Sequence, residues 1–396
     1  MKSTSTVIVG GGISGLSFAH YCAEAGMKPI LLEKNKSAGG CIKTVMHGTN
    51  RLEMGAHAMF NSYRSIIAIL ETRGLLSDLE SREKHSYKVW EGDQLFSISK
   101  KIAWLELFLS IPKYFMTSKE GLTVAQFYSK VMGRKNYENL FCHFFNAVLS
   151  QDAGQFPAVS VFRKREKRKD VLKSFSFPKG LSQVVDAMCR HPGLEYLPNC
   201  APTAITREGD GFLLKTPEGD ISAERLVLAT PPHVAAQLLG AVHPEAAEMV
   251  GSIAANDIHS LGVFCKAEDV TAPLLGGLVG VDYPFYSAVS MDVATGNDKD
   301  HRAFAFHFKS PPPSREAQLD MVSKALGVEK DKFLAVFENT TCLPSFEPNH
   351  LEKVEALDKL MGDEPIYLLG NYFKGMALED CVERSFEEFE RLSRKG

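Results

Sequence analysis

Three glycines near the start of the chain, Gly10, Gly12 and Gly15 in "TVIVGGGISGL", have the spacing of a phosphate-binding turn. Gly10 permits the tight turn, Gly12 lets the backbone approach a pyrophosphate, and Gly15 lets the following helix pack close to its strand. Ile13 and Ser14 open that helix, whose free amides would point at the diphosphate. Glu33 follows at the distance from which an acid accepts hydrogen bonds from a ribose diol, with Lys34 beside it. This chemistry is dinucleotide binding. A second glycine pair, Gly39 and Gly40 with Cys41 directly after, is more than a nicotinamide nucleotide requires. Further on, "RLEMGAHAMF" sets Gly55, Ala56 and His57 together, and near the far end "PIYLLGNYFKGMALEDC" holds Gly370, Asn371, Met376 and Ala377.

Positioning these residues takes a strand, a turn, a helix and a second strand, in that order. Thr6 to Val9 is a β-branched run that reads as a buried strand, Ser14 to Ala25 reads as a helix closed by Gly26, and Pro29 to Leu32 reads as the second strand. Ile366 to Leu369 reads as a strand entering a glycine turn, with a helix from about Leu378. Ser260 to Lys266 and Ala303 to Phe308 read as strands of another sheet, and "SPPPS" as a rigid turn into a helix over Arg315 to Leu326. The apolar stretch from Lys101 to Met116 is broken by Pro112 and too short to span a bilayer. Downstream, "RKREKRKD" carries Arg163, Lys164, Arg165, Lys167, Arg168 and Lys169. Two readings stand: a core helix plus a solvated charge run, or an apolar lip in a membrane surface with the basic run on anionic headgroups.

A length of 396 residues favours two domains, and a net charge of -3 excludes a general nucleic-acid binder. Eight cysteines without a CxxC pair or metal spacing fit free thiols in a reducing compartment, and no metal site is expected. The N-terminal residues go straight into a strand rather than a leader, so the expected location is the cytoplasm, with peripheral membrane contact as an option.

The doubled glycine after Glu33, the strand ending in "RLEMGAH" and the C-terminal "LLGNYFKGMALEDC" together resemble the FAD-dependent amine oxidase superfamily, over most of residues 1–262 and 360–396. The resemblance implies FAD, held by Gly10, Gly12, Ile13, Ser14, Gly15, Glu33, Lys34, Gly39, Gly40, Cys41, Gly55 and Ala56. It further implies that the backbone at Thr203 and Ala204 touches the adenine and that Ala229, Thr230 and Pro231 end a strand near the cofactor. Gly370 and Asn371 would contact pyrophosphate and ribityl, with Met376 and Ala377 at the ring edge. The implied architecture is α/β: a doubly wound, Rossmann-type FAD domain (1–75, 170–260 and 345–396) interleaved with a mixed α+β substrate domain (76–169 and 261–344).

Within the superfamily, the segment from Gly121 to Phe162 and the ending through Asp380 and Cys381 look most like protoporphyrinogen oxidases. Those enzymes often carry an arginine where this chain has Ser86 before Tyr87, and Gly55-Ala56-His57 is closer to UDP-galactopyranose mutase. His57 is the one side chain singled out as catalytic, as a donor to the flavin or a proton acceptor; a histidine satisfied by backbone in a tight turn is the competing reading. Glu53 reads as structural, and Tyr372 with Phe373 as either a wall beside the ring or packing. The expected activity is hydride transfer from a small, largely apolar or cyclic substrate to flavin N5, with oxygen as acceptor. Amine oxidase, carotenoid-type desaturase or isomerase, flavin-dependent mutase and flavin-bearing scaffold are the alternatives.

Overall fold

The β-branched run ahead of the first glycines becomes the strand Lys2–Val9, buried over its last four residues, near the middle of a seven-stranded sheet. A computed structural model describes residues 1–394. Across this sheet lie Glu195–Leu197, Ile30–Leu32, Lys2–Val9, Ile221–Leu228, Gly211–Lys215 and Ala204–Glu208, and Ile366–Leu368 pairs with the end of Ile221–Leu228. The two hairpin strands Gly211–Lys215 and Ala204–Glu208 are antiparallel; the other pairings are parallel. Parallel neighbours need crossovers, and the helix Ile13–Glu24 provides the first, ending at Ala25 with Gly26 in the left-handed region at φ +80°. The C-terminal helix Leu378–Arg394 packs on it, and the Ser385 hydroxyl donates to the Ser14 carbonyl at 2.9 Å.

The second sheet runs Phe333–Pro344, Ala255–Lys266, His301–Phe308, Phe285–Ser290, Gly277–Gly280, Tyr87–Glu91 and Gln94–Ser97. Its first strand in the chain after the hairpins starts at Ala255 rather than Ser260, so a domain boundary at 260 falls inside one continuous strand. The cause is its equally long neighbour Phe333–Pro344, whose ladder reaches Ala255 opposite Pro344 and overrides the polar composition of the early residues. The helix Arg315–Leu326 forms where expected, its Ser314 hydroxyl accepting the Ala317 N–H and Gly327 turning left-handed at its end.

Two further expectations are corrected in the helical segment. The helix Trp104–Met116 runs through Pro112 instead of stopping at it. On so exposed a helix, water can take the carbonyl that proline leaves unpaired. The basic run is not a free cationic patch: Arg163 reaches Asp380 at 2.8 Å, Arg165 pairs with Asp380 and Glu383, and Arg168 pairs with Glu71 and Asp170. Arg163 and Arg165 clamp the start of the C-terminal helix, while Lys164, Lys167 and Lys169 remain exposed.

Asp380 is 3% exposed and carries both guanidinium groups and the Ala377 N–H. Its removal takes the acceptor from the Ala377 N–H and leaves the half-buried Arg165 with Glu383 alone. Asp380→Ala should lower stability by about 3 kcal/mol in urea unfolding, and a loss no larger than that of a surface ion pair would show that the clamp is solvated.

Candidate functional site

Val9 lies opposite Leu32 and Leu228, and Leu228 opposite Leu368, so Gly10, Glu33, Ala229 and Leu369 leave the sheet side by side. Open parallel sheets bind ligands at such carboxyl ends. At Gly10 (φ +109°) a side-chain carbon would sit 2.5 Å from the Ala229 carbonyl oxygen. At Gly15 it would sit 2.0 Å from the Gly10 carbonyl oxygen, so the helix comes down on the turn with room for nothing but glycine. Gly12 differs: the nearest atom to a carbon placed there is the Gly40 Cα, at 3.9 Å. The space above Gly12 is open, and the helix Ile13–Glu24 starts beside it with no side-chain cap and no acid in its first turn. The amides of Ile13, Ser14 and Gly15 are left for an anion.

The second glycine pair forms the facing wall. Gly39 N–H donates to the Gly11 carbonyl at 2.8 Å, and a side-chain carbon on Gly40 (φ +57°) would be 3.1 Å from the Gly12 Cα. Glu33 is tied into the same turn: Oε2 accepts the Gly11 N–H at 2.9 Å, and Oε1 accepts the Asn35 backbone and side-chain amides, both at 2.8 Å. Lys34 beside it is exposed. Ala229 is fixed by its N–H on the Val9 carbonyl at 2.8 Å, and the neighbouring Thr230 hydroxyl is buried with no hydrogen-bond partner among the described residues. A polar atom so placed suits a ligand.

Thr203 and Ala204 are exposed at the outer edge of the sheet, and the hairpin ladder takes the Thr203 N–H onto the Lys215 carbonyl at 2.8 Å. The segment beside Glu33 is Asn199 and Cys200, whose amides donate to the Asn35 and Glu33 carbonyls at 3.0 and 2.8 Å. Tyr372 and Phe373 are packing: they are 0% and 2% exposed, and Arg384 lies 3.9 Å over the Phe373 ring. Their turn follows from Gly370 (φ +150°), where a side-chain carbon would sit 2.5 Å from the Tyr372 ring; Asn371 between them is half-buried. The Ala377 N–H is engaged by Asp380 at 3.1 Å, and the Met376 sulfur lies 3.6 Å from Gln151 Nε2.

On the other side of the second glycine pair, Ala56 N–H donates to the Cys41 carbonyl at 2.8 Å, and a side-chain carbon at Gly55 would sit 2.1 Å from that oxygen. Burial pushes the Cys41 thiol up to about 11, so it is uncharged at neutral pH. His57 follows, with Nε2 3.1 Å from Nε2 of His307, whose Nδ1 lies 2.8 Å from the Ser260 hydroxyl. Burial, reinforced by His307 and Arg82, holds His57 well below its ordinary value, and burial pushes His307 down to about 4. The Glu53 carboxyl accepts the Leu181 N–H and the Thr44 hydroxyl, each at 2.8 Å, and burial raises it to about 7.

His307, Ser260 and Arg82 were not singled out from the sequence. The first two lie inside strands whose alternation reads as packing. Arg82 is a half-buried guanidinium that forms no ion pair among the described residues, within electrostatic reach of Glu53, Tyr87 and His57. A single arginine in "LESREKHSY" carries no local signal. Ser86, at the position weighed for an arginine, is exposed.

Away from this site, His20, Glu24 and His191 bring one potential metal-ligand atom each to within 4.8 Å of one another. The Gly193 N–H donates to His191 Nδ1 at 2.9 Å, which leaves the ring's proton on Nε2, facing Glu24 at 3.0 Å. Arg73 stands 3.8 Å from the same carboxylate, so Glu24 and His191 are engaged with each other, while His20 Nε2 faces the Thr72 hydroxyl at 3.2 Å.

A family model described as flavin containing amine oxidoreductase matches residues 13–263. The chloroplastic protoporphyrinogen oxidase of Oryza sativa subsp. japonica is 22% identical over 492 residues, covering 99% of this chain and 88% of that protein. A crystal structure from Exiguobacterium sp. 255-15, provisionally assigned as a protoporphyrinogen oxidase, matches with a TM-score of 0.80 at 18% identity, over 100% of this chain and 99% of that one. A CLA-producing fatty acid isomerase from P. acnes matches with a TM-score of 0.77 at 16% identity, over 99% and 98% of the two chains. At these identities the solved structures establish the shared fold.

Two substitutions separate cofactor binding from folding. Gly12→Ala has room in the protein itself, so its melting temperature without flavin should match wild type while flavin affinity falls by at least about tenfold. Gly15→Ala should fail to fold. Full flavin retention in Gly12→Ala would show that the diphosphate lies elsewhere. Glu53 binds its proton more tightly in the folded chain, so its stabilisation is complete below about 4.5 and is lost as pH rises through about 7. Thermal melts of Glu53→Gln should be flatter than wild type across that rise, and a parallel decline in both proteins would assign the loss to another group.

Proposed function

The chain belongs to the flavin-containing amine oxidoreductase family, and we propose that, as an FAD-dependent oxidoreductase, it dehydrogenates a small, largely apolar organic substrate in the manner of a protoporphyrinogen oxidase. When bound, FAD supplies the two-electron acceptor, taking a hydride from a substrate C–H at N5. The chain's own residues bind and orient. Gly12 carries the reading, because it alone of the three motif glycines has open space above it, beside an uncapped helix start and the wall made by Gly39 and Gly40. Glu33 holds that turn and supports the ribose end of the site, and Gly370 turns the last segment toward it.

On the substrate side, Arg82 is a half-buried cation without an ion pair among the described residues. Such a group favours a carboxylate on an otherwise apolar molecule and disfavours the ammonium form of an amine. The burial of Tyr372 and Phe373 also removes the aromatic wall on which an amine reading would lean. His57 and His307 are both held neutral, so the site offers hydrogen bonds rather than a second cation. Oxygen is the proposed electron acceptor.

The helix Trp104–Met116 bears on how such a substrate arrives. Leu105, Phe108, Leu109, Phe115 and Met116 are 64% to 86% exposed, while the one buried residue of the helix is Ser110. This inverts the usual amphipathic arrangement and suits shallow burial in a membrane interface, with the exposed Lys100 and Lys113 at headgroup level. Among the described residues no helix is long and apolar enough to cross a membrane. The proposed location is the cytoplasm, with this exposed apolar helix touching a membrane surface.

Purified protein should be yellow, and a preparation that neither contains nor takes up flavin would end the cofactor assignment. Mixed anaerobically with a porphyrinogen, the flavin should bleach. Bleaching by a primary amine alone, or isomerisation of a nucleotide sugar by the reduced protein, would replace the proposed substrate class. Arg82→Leu should raise KM for an acid-bearing substrate by about tenfold or more, with kcat little changed. Wild type should float with anionic vesicles and the Phe108→Asp, Leu109→Asp double variant should sediment; equal behaviour would remove the membrane contact.

A further inference from the structure

We infer that Ser260 and His307 are positioning residues that couple the tautomer of His57 to their own hydrogen bonds, so that His57 meets the substrate and flavin as a neutral group able to donate or to accept at one atom. The inference deepens the FAD reading given above and rests on it for the identity of the site.

Ser260 and His307 are in register on the adjacent antiparallel strands Ala255–Lys266 and His301–Phe308, which makes them direct cross-strand neighbours. Both are 4% exposed. Their side chains meet at 2.8 Å through Nδ1, and the far edge of the His307 ring meets His57 at 3.1 Å, Nε2 to Nε2, with the ring centroids 5.1 Å apart. The chain of contacts therefore runs from the second sheet to the loop that follows Gly55 and Ala56, where the glycine floor of the first sheet ends.

An N···N contact at this distance needs a hydrogen on one ring and a lone pair on the other. Two rings with protonated Nε2 atoms would oppose each other, and two rings with bare ones would repel. Burial pushes His307 down to about 4 and holds His57 well below its usual value, so both rings are neutral at neutral pH. The charged groups around the pair act in the same sense or are occupied elsewhere. Arg82 opposes protonation of His57, the Glu53 carboxyl faces Leu181 and Thr44, and Arg51 is paired with Glu80.

Two arrangements remain. In one, the Ser260 hydroxyl donates to His307 Nδ1, His307 Nε2–H donates to His57 Nε2, and His57 carries its hydrogen on Nδ1. In the other, His57 Nε2–H donates to His307 Nε2, His307 Nδ1–H donates to the Ser260 oxygen, and His57 Nδ1 is a bare acceptor. Only a hydroxyl, which both donates and accepts, can end the chain in either sense. His57 Nδ1 itself is buried and makes no hydrogen bond of normal geometry among the described residues, although the Glu53 carbonyl is placed to accept loosely from the ring. That nitrogen is the atom left for the site, and its sense is tied through His307 to that of the Ser260 hydroxyl.

The test reads tautomers directly. In nitrogen-15 spectra of the histidine-labelled, flavin-loaded protein at neutral pH, with signals assigned through His57→Gln and His307→Gln, both rings should be neutral and one protonated Nε2 should face one bare Nε2. A doubly protonated ring, or two rings with matching Nε2 states, would overturn the inference. A second readout needs no known substrate: oxygen reoxidation of photoreduced flavin should slow by about tenfold in Ser260→Ala at unchanged flavin content, and recover in Ser260→Thr, which keeps the hydroxyl. Equal rates in all three proteins would overturn it. If the protein held no flavin, the cofactor reading would fail, while the spectra of the unloaded protein would still decide the tautomers.

Discussion

The contact on which the site depends is made by backbone alone. Gly39 donates its N–H to the Gly11 carbonyl, and Gly40 lies over Gly12 with no side chain between them. This contact converts a phosphate-binding turn, open on one side, into a slot with two walls. It also requires that the residues after Glu33 return toward the first turn instead of entering a helix, which in turn places Cys41, Gly55 and Ala56 against one another and sets His57 at the rim. A side chain at Gly10, Gly15, Gly39 or Gly55 would strike backbone at 2.0 to 2.5 Å, so each of these glycines is needed for assembly. Gly12 is the exception, and the exception marks where the ligand belongs.

How much of this was legible in the sequence follows from how local each signal is. The strand, turn, helix and strand order at Thr6 to Glu33 has a short-range signature, and it matches Lys2–Val9, Ile13–Glu24 and Ile30–Leu32. The helix Arg315–Leu326 was readable for the same reason, because a serine cap and a terminal glycine bracket it. The early start of Ala255–Lys266 was not, since polar residues were recruited by a partner strand far along the chain. The pairing of the Thr203 N–H with the Lys215 carbonyl was likewise not readable, because it depends on a hairpin partner rather than on local residues. His307 and Ser260 sit in strands where a polar residue reads as an outward-facing position, and only the cross-strand register shows that they meet.

Charge shows the same dependence on distant partners. "RKREKRKD" reads as a cationic surface, yet its arginines fold back on Asp380, Glu383, Glu71 and Asp170. Asp380 and Glu383 belong to the first turns of the C-terminal helix, where acids are also favoured by the helix dipole. The clamp thus ties the helical segment to the element that closes the FAD-side sheet, and it shifts the case for membrane contact from charge to the apolar helix Trp104–Met116.

The electrostatics around His57 have a common logic. A bound flavin gains negative charge when it is reduced, and a neighbouring cation would stabilise that state whether or not a substrate was present. Here one cation, Arg82, stands near the histidine pair, and burial suppresses charge on both rings. The neighbouring acid, Glu53, is raised to about 7 by burial, so it too is partly neutral near physiological pH. The polar groups nearest His57 are therefore mostly uncharged hydrogen-bonding groups in a low-dielectric setting, where direction counts for more than charge. In such a site the serine at the end of a two-histidine chain ties the three side chains into one hydrogen-bonded unit, whose members reverse direction together or not at all.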